Sequence, residues 1–100
     1  MCGIIGINSN KPVSSTIINS LKKLEYRGYD SAGVATLFDG EINEVKSEGR
    51  VDNLEQNFDL KSLKGNIGIG HVRWATHGVP NSINAHPHSS DNVSVVHNGI

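Results

Sequence analysis

The hydrophobic and polar positions at the start of the chain predict a strand followed by a helix. The run from Cys2 to Ile7 is apolar and contains two glycines, as is typical of a buried strand that another backbone or a ligand approaches closely. From Pro12 to Glu25, apolar residues recur at helical spacing, with a proline in the first turn and two lysines near the C-terminal end. This second segment predicts an amphipathic helix.

The middle of the chain has the pattern of a β-hairpin followed by a helix and a strand. The runs Gly33 to Phe38 and Ile42 to Lys46 flank Asp39-Gly40, a dipeptide typical of tight hairpin turns. A short helix is predicted over Val51 to Phe58. Apolar residues then alternate with small or polar ones from Ile67 to Trp74, which predicts another strand.

The last quarter of the chain is predicted to be a long loop and a final strand. Thr76 to Asn92 contains glycine, proline, asparagine and serine, which favour turns, and Val93 to Val96 has the apolar character of a strand. The sequence then ends at Asn98-Gly99-Ile100 without a polar tail. We therefore expect the sequence to be part of a longer chain.

Composition and charge narrow the class of protein. The 100 residues suffice for one domain, with 36% hydrophobic and 19% charged residues. The formal net charge is −1 and the basic residues are scattered, so neither nucleic acid nor an anionic membrane is an expected partner. A single cysteine excludes an internal disulfide, and neither a signal peptide nor an apolar run of roughly 20 residues is present. These features favour a cytoplasmic protein with a small-molecule partner.

Cys2 is the first candidate for chemistry. Cysteine is small enough for Met1 to be removed, and the α-amine exposed in this way has a reference pKa of about 7.7 to 8.0. Such an amine accepts the proton of the adjacent thiol, so Cys2 would be a nucleophile that carries its own base. The alternative is that Cys2 is only a small buried hydrophobic residue. If Met1 is retained, the amine belongs to the wrong residue and we expect an inactive protein.

Arg73 is the second candidate, at the end of a predicted strand. Its planar guanidinium matches a carboxylate, and Thr76 and His77 just beyond it offer further hydrogen bonds to an amino-acid substrate. The alternative is a surface arginine beside a tryptophan, Trp74, that anchors the core. The sequence leaves both interpretations open.

Asn98 and Gly99 form the third candidate, because a side-chain amide and an unobstructed backbone N–H are donors of the kind that form an oxyanion hole. The same dipeptide is also an ordinary turn. The five histidines do not match the usual spacings of a metal site. We therefore predict no metal and no cofactor.

Five ordered segments resemble the class II glutamine amidotransferases, whose glutaminase domain is an N-terminal nucleophile hydrolase. The resemblance spans nearly the whole chain and implies an α+β fold, a four-layer αββα sandwich of which only the N-terminal part is expected here. Residues 1–100 would then be the N-terminal portion of the glutaminase domain. The five segments are Met1-Cys2-Gly3-Ile4-Ile5-Gly6, residues 24–33 (LEYRGYDSAG), residues 70–78 (GHVRWATHG), Asn84-Ala85-His86-Pro87-His88, and residues 96–100 (VHNGI).

The resemblance also implies roles for single residues. Cys2 would attack the amide of glutamine to give a thioester, while Asn98 and the Gly99 N–H hold the oxyanion. The remaining residues would bind glutamine: Arg73 its carboxylate, Thr76 and His77 in support, and Arg27 with Gly28 beside the nucleophile. Trp74 lies on the loop that in the family closes over glutamine and gates the passage of ammonia.

Three motifs favour one branch of the family, which passes the ammonia to fructose 6-phosphate and forms glucosamine 6-phosphate for amino-sugar and cell-envelope synthesis. These motifs are Tyr26-Arg27-Gly28-Tyr29, Trp74-Ala75-Thr76-His77 and His86-Pro87-His88. The resemblance implies that fructose 6-phosphate binds in sugar isomerase domains absent from this chain, and that the full-length enzyme is a homodimer. The 100 residues alone are expected to be inactive. Two alternatives stay open: a related amidotransferase with another acceptor, and a non-catalytic glutamine-binding domain.

Overall fold

The computed structural model describes residues 3–27, 29–74 and 82–97, with Arg27 and Lys61 described through their backbone only. Along the chain, a strand and a helix are followed by a hairpin, a second helix and three further strands. The strands are β1 Gly3–Asn8, β2 Ser31–Phe38, β3 Glu41–Glu48, β4 Ile67–Arg73, β5 His88–Ser89 and β6 Ser94–Val95. The α-helices are α1 Ser14–Leu24 and α2 Val51–Asn57, and single 3₁₀ turns span Glu25–Arg27 and Leu60–Ser62.

The hairpin predicted around Asp39-Gly40 is confirmed. β2 and β3 pair antiparallel over their whole length, from Ser31 opposite Glu48 to Phe38 opposite Glu41. Asp39 and Gly40 both have positive φ angles, 53° and 76°, which is the backbone of a type I′ turn. The local dipeptide therefore determines the register of these two strands.

The first helix and the strands β1 and β4 are also confirmed, with shifts of one or two residues at their boundaries. The helix predicted from Pro12 begins at Ser14. The final quarter differs more: β5 lies inside the segment predicted as a loop, and the strand predicted over Val93 to Val96 has only two residues, Ser94 and Val95. β5 and β6 form a two-residue antiparallel pair, in which His88 lies opposite Val95 and Ser89 opposite Ser94. The hydrophobic pattern of the sequence does not predict this pairing.

The main sheet has four strands in the order β1-β4-β2-β3, and every neighbouring pair is antiparallel. β4 therefore inserts between the first two strands of the chain and becomes a central strand. Gly3 of β1 lies opposite Val72, and Ser31 of β2 lies opposite Arg73. One end of the sheet thus gathers the start of β1, the start of β2 and the end of β4.

One side of the sheet, the helix face, packs against α1. Three glycines on this face let the helix approach closely: a Cβ at Gly3 would lie 2.8 Å from a methyl of Leu24, and Cβ atoms at Gly68 and Gly70 would each lie 2.6 Å from methyls of Ile17. These glycines therefore serve the packing of α1 against the sheet. The buried core residues are Val13, Ile17, Ile18, Leu21, Ala32, Val34, Val51, Leu54, Leu63 and Val72.

Two polar side chains, one in the last turn of α1 and one directly after it, contact α2. The carboxylate of Glu25, which is buried, accepts a hydrogen bond from the backbone N–H of Val51 at 3.0 Å, so it caps the first turn of α2. On the surface, the ammonium of Lys22 pairs with Asp52 and Glu55. The hydrogen bond with Glu55 and these two negative charges raise the pKa of Lys22.

The other side of the sheet, the histidine face, carries alternate residues of β2 and β4, among them Gly33, His71 and Arg73. Residues 82–97 cover part of this face. The hydroxyl of Ser89 donates to the carboxylate of Glu44 on β3 and contacts the hydroxyl of Ser94 at 2.8 Å. The described residues therefore form a helical layer, a four-stranded sheet and the beginning of a further β layer.

Candidate active site

The residues that adjoin the predicted catalytic positions meet at one end of the main sheet. Gly3, which follows Cys2 in sequence, is paired with Val72, and Val72 precedes Arg73. Partners in an antiparallel pair have Cα atoms about 4.5 to 5.5 Å apart. The start of β1 and the end of β4 therefore lie side by side.

The backbone of Arg73 is fixed at the end of β4. Its carbonyl accepts a hydrogen bond from the N–H of Asp30 at 2.7 Å, and its Cα lies opposite Ser31 of β2. The side chain is half-buried on the histidine face. A guanidinium on a rigid strand end is well suited to binding a planar carboxylate.

Trp74 directly follows Arg73 and is 49% exposed. Trp74 is therefore not fully buried, as a residue that anchors the core would be. The sequence had left this core role open as one of two interpretations. Its predicted role in a lid over the substrate stays a prediction.

The loop between α1 and β2 reaches the same end of the sheet. The backbone of Arg27 lies in the 3₁₀ turn that follows α1, and Tyr29 packs against the core with the guanidinium of Arg50 5.2 Å from its ring centre. Gly49 N–H donates to the Asp30 carbonyl at 2.7 Å, which ties the end of β3 to this loop. Six of the predicted site residues lie outside the described residues: Cys2, Gly28, Thr76, His77, Asn98 and Gly99.

A cluster of histidines on the histidine face was not assigned a role from the sequence. His71, which is completely buried, stacks on His86 with ring centres 4.5 Å apart, and His86 contacts His88 edge-on at 4.4 Å. The Nε2 of His71 lies 3.0 Å from the backbone carbonyl oxygen of His97. In the sequence, the motif His86-Pro87-His88 was the one sign of this cluster. Nothing in the residues around the motif indicates that it contacts His71.

Burial lowers the pKa of His86 from its usual 6.5 to about 4, and the nearby charges of His71, His88, Arg73 and His97 act in the same direction. The Nδ1 atom of His86 is buried and makes no hydrogen bond to any described residue. The ring of His86 is therefore neutral at physiological pH, which lets it stack on His71 without charge repulsion.

Within residues 3–27, 29–74 and 82–97, no three His, Cys, Asp or Glu side chains are grouped to hold a metal ion. None of the helices described in these ranges is long and apolar enough to cross a membrane. A recess of about 260 Å³ between Leu37, Ile67 and Asp91 lies at the opposite end of the sheet from Arg73, so it is separate from the candidate site.

The fold matches that of a solved enzyme structure. The glutamine phosphoribosylpyrophosphate amidotransferase of B. subtilis, complexed with ADP and GMP, superposes with a TM-score of 0.77 at 28% sequence identity, over 94% of this chain and 20% of that one. No protein-family model matches the sequence. With the motifs and the sheet described above, this likeness confirms the predicted fold: the chain belongs to the class II glutamine amidotransferases, with the fold of N-terminal nucleophile hydrolases.

Within this class, the chain is similar over its whole length to curated proteins named glutamine–fructose-6-phosphate aminotransferase (isomerizing). It is 59% identical to that of Mesorhizobium japonicum over 100 residues and 61% identical to that of Clostridium acetobutylicum over 102 residues. The chain spans only 16% and 17% of the lengths of these two relatives.

Proposed function

We propose that residues 1–100 supply the nucleophile and part of the substrate pocket of a glutaminase domain, which releases ammonia from glutamine. The observation that carries this proposal is the convergence at one end of the sheet. The proposed nucleophile directly precedes Gly3, the proposed substrate loop follows Arg73, and the proposed oxyanion hole follows His97. The contacts of β4 bring these three residues together. Catalytic groups held by strands in this way are fixed more accurately than groups on free loops.

The proposed reaction begins at Cys2 after removal of Met1. Its α-amine takes the thiol proton, the sulfur attacks the side-chain amide carbon of glutamine, and the same amine protonates the departing ammonia. Asn98 and the Gly99 N–H stabilise the negative oxygen of the tetrahedral intermediate. Water then attacks the γ-glutamyl thioester, which releases glutamate and restores the thiol.

Arg73 binds the α-carboxylate of glutamine in this proposal. Its half-buried position strengthens a charged hydrogen bond relative to one in open water, and the backbone hydrogen bond from Asp30 holds it in place. Thr76 and His77 assist it, Arg27 and Gly28 line the pocket, and Trp74 belongs to the lid. The exposed position of Trp74 supports this last role because a residue that moves over a ligand cannot be locked in the core.

We further propose fructose 6-phosphate as the acceptor of the ammonia, with glucosamine 6-phosphate as the product. The names of relatives that are 59% and 61% identical support this choice. The sugar would bind in isomerase domains outside these residues, in a cytoplasmic homodimer. The proposal includes no metal or cofactor, since thiol and amine together supply a nucleophile and a base.

The test is the activity of the complete gene product with glutamine and fructose 6-phosphate, measured as glutamate and glucosamine 6-phosphate formed. We expect both products from the wild type and neither from Cys2→Ala. Glutamate without the amino sugar would keep the glutaminase but exclude this acceptor. Glutamine binding without any hydrolysis would instead identify a non-catalytic binding domain.

Retention of Met1 provides a second test of the same mechanism. A preparation in which mass spectrometry finds Met1 in place should not hydrolyse glutamine, because the thiol then lacks its adjacent amine. Trimming by a methionine aminopeptidase should restore the activity. Full hydrolysis by the untrimmed protein would exclude the α-amine as the base.

A further inference from the structure

His71 occupies a position where a histidine is unusual. It lies in the middle of β4, opposite Ile4 of β1 and Gly33 of β2, and it is completely buried. An aliphatic residue at this site would fill the sheet without the cost of burying a polar ring. A buried ring of this kind is stabilised when its polar atoms make a specific contact.

That contact reaches the backbone of a different part of the chain. The Nε2 atom of His71 is 3.0 Å from the carbonyl oxygen of His97. A carbonyl oxygen only accepts, so Nε2 carries the proton and donates it. His97 immediately precedes Asn98 and Gly99 in the sequence.

The ring of His71 is also held from the side. His86 stacks on it with an angle of 26° between the ring planes, and the carbonyl of His86 packs against the Cα of Gly33. A Cβ at Gly33 would collide with that carbonyl oxygen and would lie 2.9 Å from the carbonyl carbon. Stacking and backbone contact together fix the plane in which His71 presents its N–H.

We propose that His71 is a positioning residue for glutamine hydrolysis. By holding the backbone of His97, His71 aligns the oxyanion hole with the nucleophile. This inference rests on the proposed function and adds a residue to which that function assigned no role. The backbone of His71 belongs to β4, which pairs with β1, the strand that follows Cys2. The side chain of His71 holds His97, the residue before Asn98. One side chain therefore links the two halves of the proposed catalytic apparatus.

The physical basis is the short range of oxyanion stabilisation. Donors act when they lie about 2.7 to 3.1 Å from the developing oxyanion, and a displacement of 1 Å costs about a hundredfold in rate. The ground state of glutamine carries no such charge. Loss of the His71 contact should therefore lower kcat and leave KM for glutamine nearly unchanged.

The first experiment compares His71→Met with His71→Gln in the complete gene product. Methionine keeps much of the volume but has no donor, whereas the amide of glutamine reaches about as far as Nε2 and retains one. We expect His71→Met to lose about ten- to a hundredfold in kcat, with KM within about twofold, and His71→Gln to regain most of the rate. Equal losses in both variants would overturn the proposal.

A double variant separates positioning from a general structural role. If His71 acts through the oxyanion hole, then His71→Met should cause a smaller loss of kcat in an Asn98→Ala background than in the wild type, because one of the two donors that it aligns is already absent. Losses that multiply would show that His71 acts elsewhere, and would overturn the inference. If His71→Met does not fold, His71→Asn replaces it, since its shorter amide does not reach the carbonyl of His97.

Two controls identify the source of a negative result. His88→Leu changes an exposed member of the same cluster and should leave kcat unchanged; a loss as large as that of His71→Met would assign the effect to the cluster and refute the specific role. Asn98→Ala should itself reduce kcat by about a hundredfold or more. If Asn98→Ala is fully active, the oxyanion hole of the proposed function is wrong, whereas an inactive Asn98→Ala beside a fully active His71→Met refutes His71 alone.

Discussion

The two faces of the main sheet are built from different kinds of residue, although the same strands supply both. On the helix face, Ala32, Val34 and Val72 are buried under the aliphatic side chains of α1. On the histidine face, the same stretches of β2 and β4 carry Ser31, His71 and Arg73. Both sets are buried or half-buried, so exposure to solvent does not explain the difference.

The difference lies in what covers each face. The helix face is covered by interchangeable apolar side chains, whose contribution depends on volume and contact. The histidine face is covered near Arg73 by backbone and ring contacts of residues 86 to 97, which depend on direction and distance. We expect changes on the helix face to alter stability and changes on the histidine face to alter catalysis.

Leu21→Ala on the helix face should have the largest effect on stability. Leu21 is completely buried against the sheet, and removal of such a side chain costs about 2 to 5 kcal/mol of the free energy of unfolding. Denaturant unfolding of the complete gene product measures this loss. KM for glutamine should not change in the protein that remains folded, and Leu37→Ala, at a leucine that is 42% exposed, should cost much less.

Paired glycine substitutions compare the faces more directly. Gly70→Ala places a methyl 2.6 Å from a side-chain methyl of Ile17, which can move, and should cost about 1 to 3 kcal/mol of stability with kcat intact. Gly33→Ala forces a methyl against the backbone carbonyl of His86, which cannot move alone. We expect Gly33→Ala to lower kcat for glutamine hydrolysis by about tenfold or more. An active Gly33→Ala with a kcat equal to that of Gly70→Ala would contradict the distinction.

Arg73→Lys tests the geometry of the substrate contact without removing its charge. Lysine lacks the planar pair of donors that matches a carboxylate, so KM for glutamine should rise about tenfold. Steady-state kinetics measures this rise. Arg50→Lys is the matched control, because Arg50 lies over Tyr29 rather than on the histidine face, and it should leave KM unchanged.

Acidification should lower the free energy of unfolding, and this effect should act through His86. Its pKa is about 4 in the folded protein and close to 6.5 when unfolded, so between these values the unfolded chain binds a proton that the folded protein does not. The free energy of unfolding should therefore fall as pH is lowered from about 6.5 to about 4, and should be independent of His86 above that range. Unfolding curves across this range measure the slope, and His86→Phe should flatten it while His88→Phe does not.

The chemistry of the candidate site was only partly accessible from the sequence. Arg73 was predicted at the end of a strand and is found there, because alternation from Ile67 onward is a local signal. His71 was missed, since a buried histidine in an alternating strand has the same pattern as any core residue. The roles of Cys2, Asn98 and Gly99 stay predictions, and these residues lie outside the described ranges.

The sequence by itself determined the features that depend on near neighbours. The helical spacing of apolar residues specifies α1, and Asp39-Gly40 specifies the turn and register of the hairpin, because both signals act over a few residues. The ordered motifs also sufficed to indicate the family. Only the tertiary structure decided that β4 inserts between β1 and β2, and that His71 meets both His86 and His97. These contacts join residues far apart in the chain, so their free energy depends on how all the strands pack together rather than on any local pattern.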